Sequence, residues 1–512
     1  MSDGVYKSRL KNARRNVLSG IIRQLVVIIL NFAIRTAILY FLGAEYQGLS
    51  GLFTAILQVL NMTDLGFAAA VTFILYKPIA ENDNDAICAI IAFLRKVYRI
   101  IGYSILCVGL LIMPFIPKLI TGSYPQGINI YFLWLIYLLN AVVSYLLFAY
   151  KSTLLTALQR DDAVSKIYSI TTLLSKSIQL ILLFLFRNYY LYVLILPIGS
   201  IINNILLQIF SQKYFPELQP KGKIDGATKQ LLVKQVKAVF MGRISDIARN
   251  SFDNIVLSSF MGLVTVAIYD NYYYIYSAVF GFMGIIAHSI QASVGNSLVK
   301  ENVDKNYNDC IKFSFIFMWI VGWCSICMCC LYQPFMKIWM SNRSEMLLSV
   351  PNMLLFCLYF YAISLTYTKG VYLEAKGLFW ECRKWYVLEA IGNLTLNIVL
   401  GYFWGVSGIL IATIITIFVF NFLGGAGELF KHYFHRSPKE FYGYHICYFC
   451  VTLLNALITF VVCGAIQVQG VFGLAVRLVI CIILPNIVYI CAYYRTNNFR
   501  SALSIVNRFL NR

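Results

Sequence analysis

Charge is scarce in this sequence. Only 12% of its 512 residues are Asp, Glu, Lys or Arg, where soluble domains carry about a quarter. No long polar block interrupts the apolar runs, which excludes a string of soluble domains although the length would hold several. Acidic residues are scarcer still, 22 against 42 Lys and Arg, giving a net charge of +20. The basic residues are scattered in short clusters rather than gathered on one face, which argues against nucleic acid as a partner. A cleavable signal is also missing: MSDGVYKSRLKNARRN is basic, but the apolar run after it is too long and lacks a small-residue cleavage site, so a retained first span is expected. A full metal-ligand set is missing too, although the cysteines at 324–330 superficially have metal-like spacing. The fourteen cysteines lie mostly inside apolar runs, where cysteine acts as a small hydrophobe. The cluster CSICMCC at 324–330 has no histidine or acidic neighbours, so neither a metal nor a cofactor is expected.

What is abundant is hydrophobic sequence, 60% of the chain with 16% aromatics. Runs of about 20 apolar residues, the length that spans a bilayer, recur from end to end. They fall at 17–42, 49–75, 98–120, 128–150, 166–186, 189–212, 237–260, 266–298, 312–331, 346–368, 384–402, 406–430, 445–465 and 470–494. The expectation is an all-α polytopic membrane protein of about 14 transmembrane helices. With the N-terminus inside, 32 of the 42 Lys and Arg fall on inner segments, four on outer ones and six within spans. Cytoplasmic loops collect these residues, and a miscounted span would invert every later loop. Multi-pass insertion in the cytoplasmic (inner) cell membrane with both termini cytoplasmic follows. Outer connections are short, the longest being YQPFMKIWMSNRSE at 332–345. No outer catalytic domain fits, so an enzyme is not expected.

An internal repeat is visible. FLG at 41–43 and FMG at 260–262 end the first and seventh spans, while ENDND at 81–85 and ENVDK at 301–305 follow the next span, at shifts of 219 and 220 residues. Six spans per copy is an even number, so the copies relate by an axis along the membrane normal and enclose a central cavity. The expected organisation is a six-helix lobe at 1–212, a cytoplasmic linker at 213–236, a second six-helix lobe at 237–430, and two additional helices with a tail at 431–512.

Ionised side chains inside spans are expensive and mark function by default. In RISDIARNSFDN at 243–254, Arg243, Asp246, Arg249, Asn250, Asp253 and Asn254 share a stripe about 140° wide at 100° per residue. Pairing along the helix, Arg249 with Asp253 for example, is the bland alternative. The first span holds Arg23 and Arg35 without an acidic residue, and Asp64 in the second span falls at a depth similar to Arg23. The 220-residue shift carries Arg23 onto Arg243. Arginine's planar, permanently charged fork suits phosphate oxygens, so Arg23, Arg35, Arg243, Arg249 and Asn250 are candidate cargo ligands. Voltage sensing would want arginine at every third position, which the first span lacks. Lys176, Glu389 and Arg477 are open to pairing between helices. Tyr269, Tyr273 and Tyr276 recur at helical spacing; an interfacial belt explains them most simply, and stacking against sugar, with Tyr273 as candidate, is the alternative. Asp64, Asp246 and Asp253 are candidates for ion coupling by a proton or sodium ion, or for charge balance.

RNVLSGIIRQLVVIILNFAIRTAILYFLGAEYQGLSGLF at 15–53, LNMTDLGFAAAVTFILYKPIA at 60–80 and the layout of six, six and two spans resemble the polysaccharide or O-antigen flippases of the multidrug/oligosaccharidyl-lipid/polysaccharide exporter superfamily. The resemblance implies two six-helix lobes around a V-shaped cavity that opens alternately to either side, and an undecaprenyl-pyrophosphate-linked oligosaccharide as cargo. It implies lumen-facing basic residues for the pyrophosphate, with Arg23 in that position, membrane lipid as surroundings and other polysaccharide-assembly proteins as partners. The multidrug branch carries an acidic residue in the first span where this chain has arginine. A cation-coupled multidrug antiporter is therefore the alternative within transport, and a membrane polysaccharide polymerase or ligase the alternative outside it.

Overall fold

The computed structural model describes residues 25–61, 66–122, 124–341 and 343–510. The described chain is helical throughout, with no strand among the described residues. In order the helices are α1 (Leu25–Phe41), α2 (Ala44–Leu60), α3 (Phe67–Ala80), α4 (Asn84–Ile112), α5 (Ile130–Leu146), α6 (Tyr150–Ala157), α7 (Asp161–Phe186), α8 (Tyr189–Tyr214), α9 (Gly226–Met261), α10 (Leu263–Lys300), α11 (Val303–Trp339), α12 (Val350–Ser364), α13 (Thr366–Lys376), α14 (Arg383–Thr416), α15 (Gly425–Leu429), α16 (Lys439–Gly464), α17 (Gly470–Tyr493) and α18 (Asn497–Leu510). Among the described residues, eight segments are long and apolar enough to cross a membrane, nine when α5 and α6, bent by 47°, form one span. This is a polytopic all-α membrane protein.

The span pattern and the helices meet in physically different ways. Both expected spans 384–402 and 406–430 lie in the segment Arg383–Phe434. They fold back on each other at Gly405, where φ is 59° and ψ is −135°; the bond from Asn393 to Thr413 at 3.1 Å, 20 residues on, reports the hairpin. α9 and α10, 36 and 38 residues long, carry the polar stripe and the tyrosines in place of a uniformly apolar run.

The two repeat motifs do matching local work. Gly43 (φ 114°) lies between α1 and α2, and Gly262 (φ 81°) between α9 and α10, both in a region that glycine tolerates and L side chains avoid. The acidic motifs each start a helix: Asp83 caps α4 by accepting from Ala86 N at 2.9 Å, and Asn302 caps α11 by accepting from Lys305 N at 2.8 Å.

The chain divides into two compact units, Met1–Arg243 with Leu257–Ala267, and Ile244–Val256 with Ile268–Arg512. The first is held by aromatic and small-residue packing. Phe53 meets Trp134 and Tyr137 edge-on at 5.3 Å, and Trp134 Nε1 donates to the Gly109 carbonyl at 2.9 Å. In hydrocarbon there is no hydrophobic drive between helices, so close van der Waals approach holds them together. Gly48 of α2 makes such an approach: a Cβ there would run into the backbone carbonyl of Leu263. Gly48→Ala is expected to destabilise the protein by about 1–3 kcal/mol through overpacking against backbone that cannot step aside. Thermal unfolding in detergent checks this, and an unchanged melt would count against the packing described.

The second unit contains most of the polar side chains buried in spans. Two π-helical stretches, Ile417–Gly424 and Phe430–Phe434, flank α15. Wide turns of this kind re-aim side chains and recur at functional sites. Here the first one turns Asn421 inward and brings Gly424 against the Trp385 ring, while a Cβ on Gly425 would lie 2.7 Å from Lys369 Nζ.

Candidate functional site

The hairpin of α9 and α10 around Gly262 sets one polar face against a column of tyrosines. Tyr273 OH donates to Asn250 Oδ1 at 3.0 Å, Tyr269 OH to Asp253 Oδ2 at 2.6 Å, and Asn254 Nδ2 to Asp270 Oδ1 at 2.9 Å. Tyr269 and Tyr276 are each 2% exposed, and Tyr276 stacks on Tyr359 of α12 at 4.6 Å. The belt expectation therefore gives way to an interior column, because these rings find partners inside the unit. Tyr273 is half-buried, stacked 6.2 Å from Tyr269.

Two polar networks grow from the α9 stripe. In the first, Arg249 bridges two carboxylates: Nη2 lies 2.6 Å from Asp246 Oδ1, one turn back, and Nη1 lies 2.6 Å from Glu389 Oε1 on α14. Glu389 Oε2 accepts from Asn421 Nδ2 at 2.8 Å, and Lys369 Nζ on α13 donates to Asn421 Oδ1 at 2.6 Å. Arg249, Glu389 and Lys369 are 6%, 1% and 2% exposed. Two cations and two anions thus share one chain of hydrogen bonds, a balanced arrangement that a low-dielectric interior requires. Arg249 pairs with Asp246 and Glu389 rather than with Asp253.

In the second network Asp253, 3% exposed, takes only neutral donors: Tyr269 on Oδ2 and Asn397 Nδ2 on Oδ1 at 2.8 Å. Asn397 also donates to Asn393 Oδ1 at 3.2 Å, and Asn393 donates to Thr413 Oγ1 at 3.1 Å. The Asn397 Oδ1 atom is buried with no hydrogen-bond partner among the described residues. Asn397 turns its NH2 group to Asp253, which leaves its orphaned oxygen as a second buried acceptor in a network whose hydrogen-bond donors are all neutral.

The remaining candidates are in the first unit. Arg35 of α1 is half-buried and Arg243 of α9 is exposed. Lys176 of α7 is half-buried as well. Arg23 and Asp64 lie outside the described residues. Sequence reasoning missed Lys369, Asn393, Asn397, Thr413 and Asn421. Asn393 and Asn397 did leave a signal, amides one turn apart in the apolar run LEAIGNLTLNIVL, a pattern that puts both on one helix face.

No protein-family model and no curated protein matches the sequence. Solved structures do match. The lipid II flippase MurJ in an inward closed conformation aligns over 92% of this chain and 98% of its own, with a TM-score of 0.68 at 17% identity. An inward-facing multidrug resistance MATE family transporter aligns over 79% and 97%, with a TM-score of 0.62 at 12% identity. A Vibrio cholerae MATE transporter aligns over 81% and 96%, with a TM-score of 0.54 at 12% identity. The chain therefore shares its fold with these solved transporters.

Proposed function

We propose that this protein is a transporter that flips an undecaprenyl-pyrophosphate-linked oligosaccharide from the inner to the outer leaflet by alternating access, supplying cell-surface polysaccharide synthesis. The observation that carries the reading is a pair of half-buried basic side chains in the first unit, Arg35 on the apolar helix α1 and Lys176 on the span α7. A pyrophosphate has oxygens enough to accept charge-assisted bonds from both an arginine and a lysine. The MurJ-like fold over 92% of the chain supports the same cargo class. Arg243, exposed on α9, is a third basic side chain of the first unit; in the second unit, Asn250 and Tyr273 are neutral candidates for sugar hydroxyls. The lipid tail stays in the bilayer while the headgroup crosses. Asp253 with Asn397 binds the coupling sodium ion or proton whose release resets the empty carrier.

In proteoliposomes loaded with lipid-linked oligosaccharide, appearance of the sugar in the opposite leaflet measures transport. Arg35→Ala and Arg243→Ala are each expected to lower the initial rate about tenfold, the loss of roughly 1.4 kcal/mol of charge-assisted contact. Lys176→Ala is expected to act with Arg35→Ala less than additively, because both serve one anion. Full transport by the Arg35→Ala, Arg243→Ala double variant would discard the cargo assignment. The second reading, a cation-coupled multidrug antiporter, is favoured by the MATE-like fold and by the acidic site at Asp253. Efflux of cationic dyes without any movement of the lipid-linked sugar would establish it instead.

A further inference from the structure

Spacing along one helix gives no metal site at 324–330, but spacing cannot show what three helices bring together. Cys330 of α11, Cys463 at the end of α16 and Cys481 of α17 turn their sulfurs to one point. The three Sγ atoms lie within 4.8 Å of one another, with those of Cys463 and Cys481 3.9 Å apart. The residues are 4%, 3% and 0% exposed. Sulfurs held about 2.3 Å from a common ion in one plane stand roughly 4.0 Å apart, so the triad needs little movement to close on a metal.

The frame around the triad is already set by polar bonds. Asn455 Nδ2 donates to the Pro485 carbonyl at 2.9 Å, Thr452 and Tyr489 hydroxyls meet at 2.9 Å, and Trp323 Nε1 donates to the Cys481 carbonyl at 2.8 Å. These fix the register of α11, α16 and α17. Arg477, one turn before Cys481, donates through Nε to the Cys463 carbonyl at 3.2 Å and through Nη2 to the Ile466 carbonyl at 2.8 Å. A fixed positive charge therefore stands at the edge of the sulfur cluster.

We propose that Cys330, Cys463 and Cys481 form a binding site for a soft monovalent cation of the Cu(I) class. Thiolates select such ions, whereas Na⁺ or Mg²⁺ wants oxygen, and structural zinc wants four nitrogen or sulfur ligands. The fourth nearby thiol, Cys327, is directed to the Cys481 carbonyl at 3.7 Å. Each thiol that ligates as thiolate releases its proton to solvent, and Arg477 balances part of the negative charge left behind. An apolar groove of about 360 Å³ beside the cluster, lined in part by Cys324, Cys327, Met328 and Leu478, offers sulfur atoms along the way in.

The test uses the full chain in detergent with the exposed cysteines removed, Cys107→Ser, Cys447→Ser, Cys450→Ser and Cys491→Ser. Cu(I), supplied anaerobically as its acetonitrile complex, competes between the protein and a chromophoric chelator. One equivalent per chain is expected to be retained. Adding Cys463→Ser or Cys481→Ser is expected to weaken retention at least about a hundredfold, as loss of a ligand does, while Cys324→Ser leaves it unchanged. Absence of retained Cu(I) in the parent background, or retention indifferent to Cys481→Ser, overturns the proposal. So does a Cys463–Cys481 disulfide found by mass spectrometry in protein purified without reductant. The parent measurement decides independently of whether a ligand variant folds.

Discussion

Asp253→Asn is expected to make the protein more stable and, at the same time, unable to couple transport to a cation. The native carboxylate is 3% exposed, and its hydrogen bonds come from a phenol and an amide. Desolvating an ion costs several kcal/mol, and neutral hydrogen bonds return only part of it. Asparagine keeps the volume and gives up the charge at the expense of one acceptor position, about 1 kcal/mol, so the melting temperature rises. In the proposed mechanism a cation or proton relieves that unfavourable charge. The wild-type melting temperature is expected to climb with the coupling ion, by about 2.7 kcal/mol of added stability at a hundredfold excess over the dissociation constant. Asp253→Asn and Asn397→Leu are expected to abolish this climb, and Asp253→Asn to abolish ion-driven transport. Melting curves across sodium concentrations and across pH separate the two candidate ions. If the variant melts below the wild type, or its melt still follows the ion, Asp253 is not the coupling site.

Much of the architecture could be read from the chain alone, because a bilayer imposes simple demands. A span needs an apolar run, loops of one side collect Lys and Arg, and a helix shows its polar residues every 100°. Those demands exposed the stripe on α9, and the internal repeat marked FLG and FMG as ends of the first and seventh spans. The partners stayed hidden for equally physical reasons. Glu389 lies 140 residues from Arg249, and nothing in a sequence states which helix will stand opposite. Lys369 counts as a loop lysine by position, yet the first π-helical stretch brings Asn421 to receive it. Asn393, Asn397 and Asn421 carry no charge, so a search for ionisable groups passes over them although they link both networks. The tyrosines of α10 fit an interfacial belt by depth, and only their neighbours on α12 and α9 reveal an interior column. Cys330, Cys463 and Cys481 belong to three runs that are unremarkable one by one.

Glu389→Ala is expected to cost about 3–5 kcal/mol, the largest destabilisation of any single change in the protein's polar core, because it leaves a buried cation uncompensated. In the native chain Lys369 and Arg249 are balanced by Glu389 and Asp246. Deleting Glu389 leaves two cations against Asp246 alone, whose side chain is 41% exposed and so partly spent on solvent. A melting temperature lower by on the order of 10 °C follows. Arg249→Met alone errs in the other direction, with two anions facing Lys369. The double variant, Arg249→Met with Glu389→Met, removes one charge of each sign and restores the balance while filling the volume with apolar atoms. It is expected to recover most of the lost stability, giving a coupling energy of several kcal/mol in the mutant cycle. The same double variant divides the two roles open to Arg249. If the guanidinium also grips cargo, stability returns and transport does not; if it serves only the fold, both return. A Glu389→Ala protein that melts with the wild type, with coupling near zero, would mean that water reaches this network and that the four charges do not depend on one another.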